Sequence, residues 1–196
     1  EVFMVSGVGK DDRGQALLEV YQKHGVNTEL IQEMDDFPTG IVTVELTENG
    51  LPTFTIGENA AWDNWVWNDE IEQKVESADA LYFGTLGQRG QSARDGIRQA
   101  LEIAKASQIP RILDINLRAP FYDDDLIRES IALCSVLKLS DEELERVVQA
   151  CELNSSLSDT AVLVELRTKF RLDLVVMTRG AEGAVLISEE GVAEQP

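Results

Sequence analysis

Apolar residues along the second two-thirds of this chain fall into short runs separated by helically spaced windows. The runs at 80–83, 111–115, 136–139, 174–177 and 184–187 are each four or five residues long, the length of a buried strand. Between them, apolar positions three and four apart predict helices over about 69–77, 92–107, 125–133, 141–151 and 159–170. Strand and helix alternating in this way predict an α/β fold, with parallel strands and helices packed on both faces. The last run, followed by Glu190-Gly191, reads as one strand of a hairpin whose partner could lie beyond Pro196.

The first sixty residues have a different rhythm. Val2-Phe3-Met4-Val5 is an apolar run that leads into a loop, Gly7-Val8-Gly9-Lys10-Asp11-Asp12-Arg13-Gly14. A helix follows, with Leu17, Leu18 and Tyr21 on one face and Gly25 at its C-cap. His24, in the last turn, complements the helix dipole when charged. Past Pro38 the period drops to two: Val42, Val44 and Leu46 alternate with Thr43 and Glu45, and Phe54 and Ile56 resume the alternation after Asn49-Gly50. This predicts a half-buried hairpin in need of a sheet partner or a ligand on its apolar face. The expected partition is an α/β core built from 1–37 and 62–196, with a β-hairpin over 38–61.

Composition narrows the partners. The 36 acidic and 17 basic side chains give a formal charge of −19, which disfavours nucleic acid and anionic membranes, while 43% apolar residues suffice for a folded core. No apolar run approaches the roughly 18 residues that span a bilayer. Only Cys134 and Cys151 are present, so a reducing, cytoplasmic setting is expected; with one histidine they make no Cys/His zinc site. The sequence opens at Glu1 inside an apolar stretch and reads as a segment of something longer.

Ligands of open α/β sheets sit outside the carboxyl ends of the strands. The segments that follow the predicted strands are Gly84-Thr85, Asn116-Leu117-Arg118, Ser140-Asp141-Glu142-Glu143 and Thr178-Arg179-Gly180. Their hydroxyls, amide and guanidinium groups suit a phosphorylated or polyhydroxylated ligand. In Thr178-Arg179-Gly180-Ala181-Glu182-Gly183, two glycines let backbone N–H groups approach a phosphate, and Arg179 can neutralise it; a tight turn between strands needs the same glycines. Ser140 and Glu143 have the spacing of a capping box, and the same glutamate could stand near a water-coordinated magnesium. Asp114, Asn116 and Arg118 alternate at a strand end and can share a face, with Arg118 free to meet an anion or a carboxylate. Trp62, Trp65 and Trp67 read as packing or an interface, and Asp123-Asp124-Asp125 as a solvated helix start. Two motifs fail. Gly7-x-Gly9 lacks the third glycine of a dinucleotide fingerprint, and Gly9-Lys10 lacks the earlier glycine of a Walker A loop.

Taken in order, Gly9–Gly14, Gly25-Val26-Asn27-Thr28, Pro38-Thr39-Gly40, Asn59–Asp63, Asp114–Arg118, Leu137–Glu143 and Thr178–Gly183 resemble the ribokinase-like, or PfkB-type, sugar kinases. Within these the resemblance is to the fructokinase and 2-keto-3-deoxygluconate kinase branch. It implies a three-layer α/β/α core whose hairpin is a lid, and ATP-dependent phosphorylation of a small sugar at a primary hydroxyl. It further implies ATP bound around Thr178, Arg179, Gly180 and Gly183, and phosphate or substrate contacts from Asn116 and Arg118. Ser140 and Glu143 would support Mg2+-bound phosphates, with Glu143 acting through water and no direct metal ligand. Phe54 and Ile56 would wall off the sugar, and the lids would pair two copies into a homodimer. The family usually carries asparagine where Ser140 stands. Its sugar-holding glycine pair would precede Glu1, and its Gly-Ala-Gly-Asp segment, with the catalytic base, would follow Pro196. A chain without either is expected to be nearly inactive, since phosphoryl transfer rests on positioning and charge stabilisation. A non-catalytic sugar- or nucleotide-binding module and a nucleoside kinase are the alternative readings.

Overall fold

The glycine-rich stretch read as a loop after the first apolar run contains a buried strand. In the computed structural model, which describes residues 1–47, 50 and 52–196, β1 covers Val2–Phe3, β2 Ser6–Gly9, α1 Asp12–Lys23, β3 Val26–Asn27 and β4 Ile31–Met34. β1 pairs in parallel with β3, and β2 in parallel with β4. A Cβ on Gly7 would stand 2.4 Å from the Ala61 carbonyl oxygen, and one on Gly9 would stand 2.6 Å from the Thr39 amide. These glycines admit neighbouring backbone, and a strand built from them carries little apolar signal. These elements belong to a first unit, Glu1–Gln73 with Gly90–Gly96; the second is Lys74–Arg89 with Ile97–Pro196.

Asp11 organises the first unit. As N-cap of α1 its Oδ1 accepts the Gly14 N–H at 2.8 Å, and it also receives the Thr39 hydroxyl at 2.7 Å and, on Oδ2, the Thr39 N–H at 2.9 Å. The Gly9 N–H donates to the Thr39 hydroxyl in turn. Hydrogen bonds from the Thr39 and Gly14 amides hold the Asp11 carboxyl down at about 2. α1 ends as expected, with Gly25 at φ +75° just past His24. The hairpin consists of β5 (Val42–Leu46) and β6 (Pro52–Ile56), antiparallel, with Val42 opposite Ile56 and Val44 opposite Phe54. Val42, Val44, Leu46 and Phe54 are exposed on its apolar face. Gly50 has φ +74° and donates its N–H to the Thr47 carbonyl; Asn49, which the sequence pairs with it as a turn signal, lies outside the described residues. Trp65 is buried over Gly96, where a Cβ would meet its ring at 2.4 Å.

Helices α2 (Asp69–Glu76) and α3 (Gln91–Ala106) each run from the first unit into the second. The second unit is a six-stranded sheet made of β7 (Leu81–Gly84), β8 (Arg111–Asp114), β9 (Val136–Ser140), β10 (Leu174–Thr178), β11 (Ala184–Ser188) and β12 (Gly191–Gln195). Between strands run α4 (Asp124–Leu133), α5 (Asp141–Ala150) and α6 (Asp159–Phe170). β7 to β10 are parallel in chain order, while β11 and β12 are antiparallel. The partner that the sequence leaves beyond Pro196 is therefore β12 itself: Gly191 supplies the turn at φ +129°. Its strand Gly191–Gln195 is exposed throughout, which hides it from an apolar-run search.

One face of this sheet is closed. Phe83, Leu113, Leu137, Leu139, Val175, Met177, Val185 and Ile187 form a core with Leu101 of α3, Ile127 and Ile131 of α4, Val147 of α5 and Leu163 and Leu166 of α6. The strand order from β7 to β10 never reverses, so right-handed crossovers set each helix on the same side. α3 to α6 thus form one helical layer. On the opposite face Tyr82 is exposed and Lys138 and Val176 are half-buried.

Two outcomes follow from this packing. Leu137→Ala leaves a cavity beneath the central strands and is expected to lower unfolding stability by about 2–5 kcal/mol, read by urea denaturation under circular dichroism. Asp11 has a folded pKa below its ordinary 3.8, so its contribution is full above pH 4 and drains away as pH falls through about 2. All three tryptophans lie in the first unit, so tryptophan fluorescence in a urea series at descending pH reads this loss directly. Asp11→Asn is expected to be less stable at pH 7 and to lack that acid-side fall.

Candidate functional site

Main-chain pairing sets the carboxyl rim of the second unit. Gly84 stands opposite Asp114 and Asp114 opposite Lys138, while Ser140 stands opposite Thr178. The ends of β7, β8, β9 and β10 therefore form one edge, and the segments after them begin side by side. The Thr178 hydroxyl points into this edge and donates to the Leu139 carbonyl at 3.4 Å.

The loop after β8 is tied on both sides of Asn116. Before it, the Ile115 N–H donates to the Lys138 carbonyl at 3.0 Å, and the Ile115 carbonyl accepts the buried Thr85 hydroxyl at 2.7 Å. After it, the Leu117 N–H donates to Glu143 Oε1 at 2.7 Å. Asn116 itself has φ +41°, in the left-handed region that asparagine tolerates better than most residues, and its side chain is exposed. Arg118 is also exposed; its Nη1 donates to the Leu117 carbonyl, and among the described residues it forms no ion pair.

Glu143 has one carboxylate and three donors. Oε2 accepts the Ser140 N–H at 2.8 Å and the Ser140 hydroxyl at 3.1 Å, while Oε1 takes the Leu117 N–H. The capping arrangement predicted from Ser140-x-x-Glu143 is present in its glutamate arm, and the link to Leu117 is an addition that spacing could not reveal. Asp141, Glu142 and Glu143 fill the first turn of α5, where negative charge suits the helix dipole.

Between β10 and β11 the chain turns through Arg179 to Gly183. The Arg179 N–H donates to the Gly183 carbonyl at 2.7 Å. Gly183, at φ +89°, is required by close approach, because a Cβ there would meet the Gln195 carbonyl oxygen at 1.9 Å. Gly180, at φ +53°, faces open space. The Arg179 guanidinium reaches Glu194 at 3.2 Å while its Nε is buried without a partner. Thus Asn116, Arg118, Ser140, Glu143, Thr178, Arg179, Gly180 and Gly183 all lie on the segments of this rim. Phe54 and Ile56 lie in the other unit, on the apolar face of the hairpin.

Sequence reasoning missed a polar triad beside this edge. Lys138 Nζ is 3.0 Å from both Asp114 oxygens, and the Tyr82 hydroxyl donates to Asp114 Oδ2 at 3.0 Å. Partial desolvation of the hydroxyl and the neighbouring Asp114 carboxylate push the Tyr82 phenol up. Asp114 thus spends its charge on its neighbours across the sheet. The two thiols offer no nucleophile, since burial pushes Cys134 up to about 12 and Cys151 up to about 11. Among the described residues no group of three or more His, Cys, Asp or Glu is gathered to hold a metal ion. No helix among them is long and apolar enough to cross a membrane.

The comparisons with known proteins fit this geometry. A protein of Pyrococcus horikoshii named as a sugar kinase is 28% identical over 200 residues, covering 98% of this chain and 59% of that one. Its crystal structure in complex with ATP matches with a TM-score of 0.79 at 26% identity, over 99% of this chain and 61% of that one. Aminoimidazole riboside kinase of Salmonella typhimurium is 26% identical over 196 residues, covering 97% of this chain and 59% of that enzyme. The fructokinase of Xylella fastidiosa matches in structure with a TM-score of 0.86 at 20% identity, over 100% of this chain and 60% of that one. That likeness gives the ribokinase-like α/β fold. The chain spans 59% of the length of each of the two curated relatives, the Pyrococcus horikoshii protein and aminoimidazole riboside kinase. The family model described as "pfkB family carbohydrate kinase" matches residues 1–196, and with that match running from end to end, the chain belongs to the pfkB family of carbohydrate kinases.

Proposed function

We propose that the protein transfers the γ-phosphoryl group of ATP to a primary hydroxyl of a small sugar, and that the described chain carries the nucleotide end of that reaction. The observation that carries this reading is the row Asn116, Ser140 and Thr178 on adjoining segments of one sheet edge. The relative solved in complex with ATP supports the choice of nucleotide.

The residues present fit a triphosphate. Gly180 opens onto free space at the turn, so backbone N–H groups there can approach phosphate oxygens. Thr178 offers a hydroxyl, Asn116 an exposed amide held in a fixed left-handed conformation, and Arg118 an uncommitted guanidinium. Each is a donor placed before the ligand arrives, so little reorganisation accompanies charge build-up on the transferring phosphoryl group. Arg179 has its charge shared with Glu194 and supports the turn as well as the anion. Bound Mg2+ would neutralise charge on the phosphates, and it is held in such sites mainly by phosphate oxygens and water. Glu143 already accepts three donors on its two oxygens, which leaves acceptor capacity for about one more, such as a water of the bound ion.

The substrate is a small sugar of the fructose or keto-sugar-acid type. A riboside is the second reading, favoured by the 26% identity to aminoimidazole riboside kinase. The exposed apolar face of Val42, Val44, Leu46 and Phe54 supports a lid that meets a second copy of the chain, in keeping with a cytoplasmic homodimer.

Isothermal titration with a non-hydrolysable ATP analogue should show saturable binding, weakened roughly tenfold in Thr178→Ala and Asn116→Ala, the loss of about one hydrogen bond to a charged group. ADP release should then appear with fructose, a keto-sugar acid or a riboside in a substrate panel run on the full-length protein. An absence of nucleotide binding would refute the reading. In sedimentation velocity the protein should run as a dimer, and Phe54→Glu should run as a monomer, because a carboxylate is costly in an apolar interface.

A further inference from the structure

We infer that Glu143 is a positioning residue, a carboxylate staple that joins the loop after β8 to the start of α5 and fixes Asn116 in its left-handed conformation. This inference rests on the proposed nucleotide site and assigns Glu143 a role in it that needs no metal.

The geometry is specific. The two bonds to Oε1 and Oε2 come from backbone amides 23 positions apart in sequence, Leu117 and Ser140, at 2.7 and 2.8 Å. An ionised carboxylate is an acceptor only, with room on its two oxygens for both amides and the Ser140 hydroxyl, so every donor facing it is matched. Asn116 lies between the Ile115 ties to Lys138 and Thr85 and the Leu117 tie to Glu143. A non-glycine residue at φ +41° sits in a sparsely populated region, and such a conformation persists where its surroundings over-determine it. On the amino side of Asn116 a main-chain bond to Lys138 backs the Thr85 hydroxyl, whereas on the carboxyl side the Leu117 amide is held by the Glu143 side chain. Released from Glu143, Leu117 loses its partner and Asn116 can relax to an ordinary φ, turning its amide away from the edge. The Ser140 hydroxyl is engaged by the same carboxylate, so serine at this position completes the staple.

The test uses two variants and two readouts. Glutamine keeps the shape of Glu143 but offers one oxygen acceptor where glutamate offers two; alanine frees both amides. Hydrogen exchange followed by NMR on the ligand-free protein should show slow exchange at Leu117 and Ser140. Glu143→Gln should accelerate at least one of them, and Glu143→Ala both, by about tenfold or more, with Leu113 and Leu137 amides unchanged. Wild-type rates at both amides in the variants would overturn the staple, and Glu143→Gln alone decides if Glu143→Ala does not fold. Affinity for a non-hydrolysable ATP analogue should fall by the same factor in Mg2+ and in EDTA. A fall in Mg2+ alone would return Glu143 to a metal-linked role, and freed amides with affinity unchanged in both media would leave it a plain helix cap; either result overturns the inference. If the wild-type protein binds no nucleotide, the proposed function fails, while the exchange rates still decide the staple.

Discussion

The parallel register of β8, β9 and β10 is the constraint on which the rim depends. Side chains alternate across a strand, so a slip of one residue would turn Leu137 and Leu139 out of the core and present Lys138 to it. Burying one leucine is worth about 1.5–3 kcal/mol, whereas a hydroxyl contact such as Thr178 to Leu139 is worth about 1 kcal/mol. The apolar face therefore decides the register, and Ser140 and Thr178 come to stand side by side as a consequence. Polar groups at the rim are positioned by a core they do not touch.

Two carboxylates then do locally what the core cannot. Asp11 and Glu143 each begin as helix-capping residues, and each also reaches a backbone amide in a distant segment, Thr39 in one case and Leu117 in the other. A loop leaving a sheet has unpaired N–H groups, and a charged acceptor is the strongest partner available to them. Asp11 shows the electrostatic signature of that arrangement in its depressed pKa, whose leading causes are the Thr39 and Gly14 amides. In both units a helix-capping residue serves also as a cross-brace.

How much of this was legible follows from the range of each interaction. The strands from Leu81 to Ser188 and the helices between them came from period alone, because each buries one face and the pattern is printed in the sequence. The ordered segments from Gly9–Gly14 to Thr178–Gly183 carried the family, and with it the expectation of a rim that gathers positions 116, 140 and 178. The strand Ser6–Gly9 was hidden because its glycines are selected by the backbones they admit, and Gly191–Gln195 because it buries nothing. β4, Ile31–Met34, was missed because Gln32 and Glu33 interrupt its apolar signal at four residues' length. Ser140-x-x-Glu143 announced a cap, but no local spacing tells that Leu117 will donate to it, nor that Asp114 will be shared by Lys138 and Tyr82. Those contacts exist only once the strands are laid side by side.

The remaining question is how a chain of charge −19 offers a seat to a polyanion. Charges more than about 8 Å apart are largely screened at physiological ionic strength, so the total matters less than what lines the edge itself. Two of the acidic groups there are matched: Asp114 faces Lys138 and Tyr82, and Glu143 faces two amides and a hydroxyl. Arg179 has Glu194 beside it. Among the described residues Arg118 has a carbonyl as its guanidinium's partner, and it is exposed on the segment that also holds Asn116. An edge with an exposed cation and fixed amide and hydroxyl donors can take up an anion against an unfavourable net charge, since short-range donors act where the ligand is and the distant carboxylates do not.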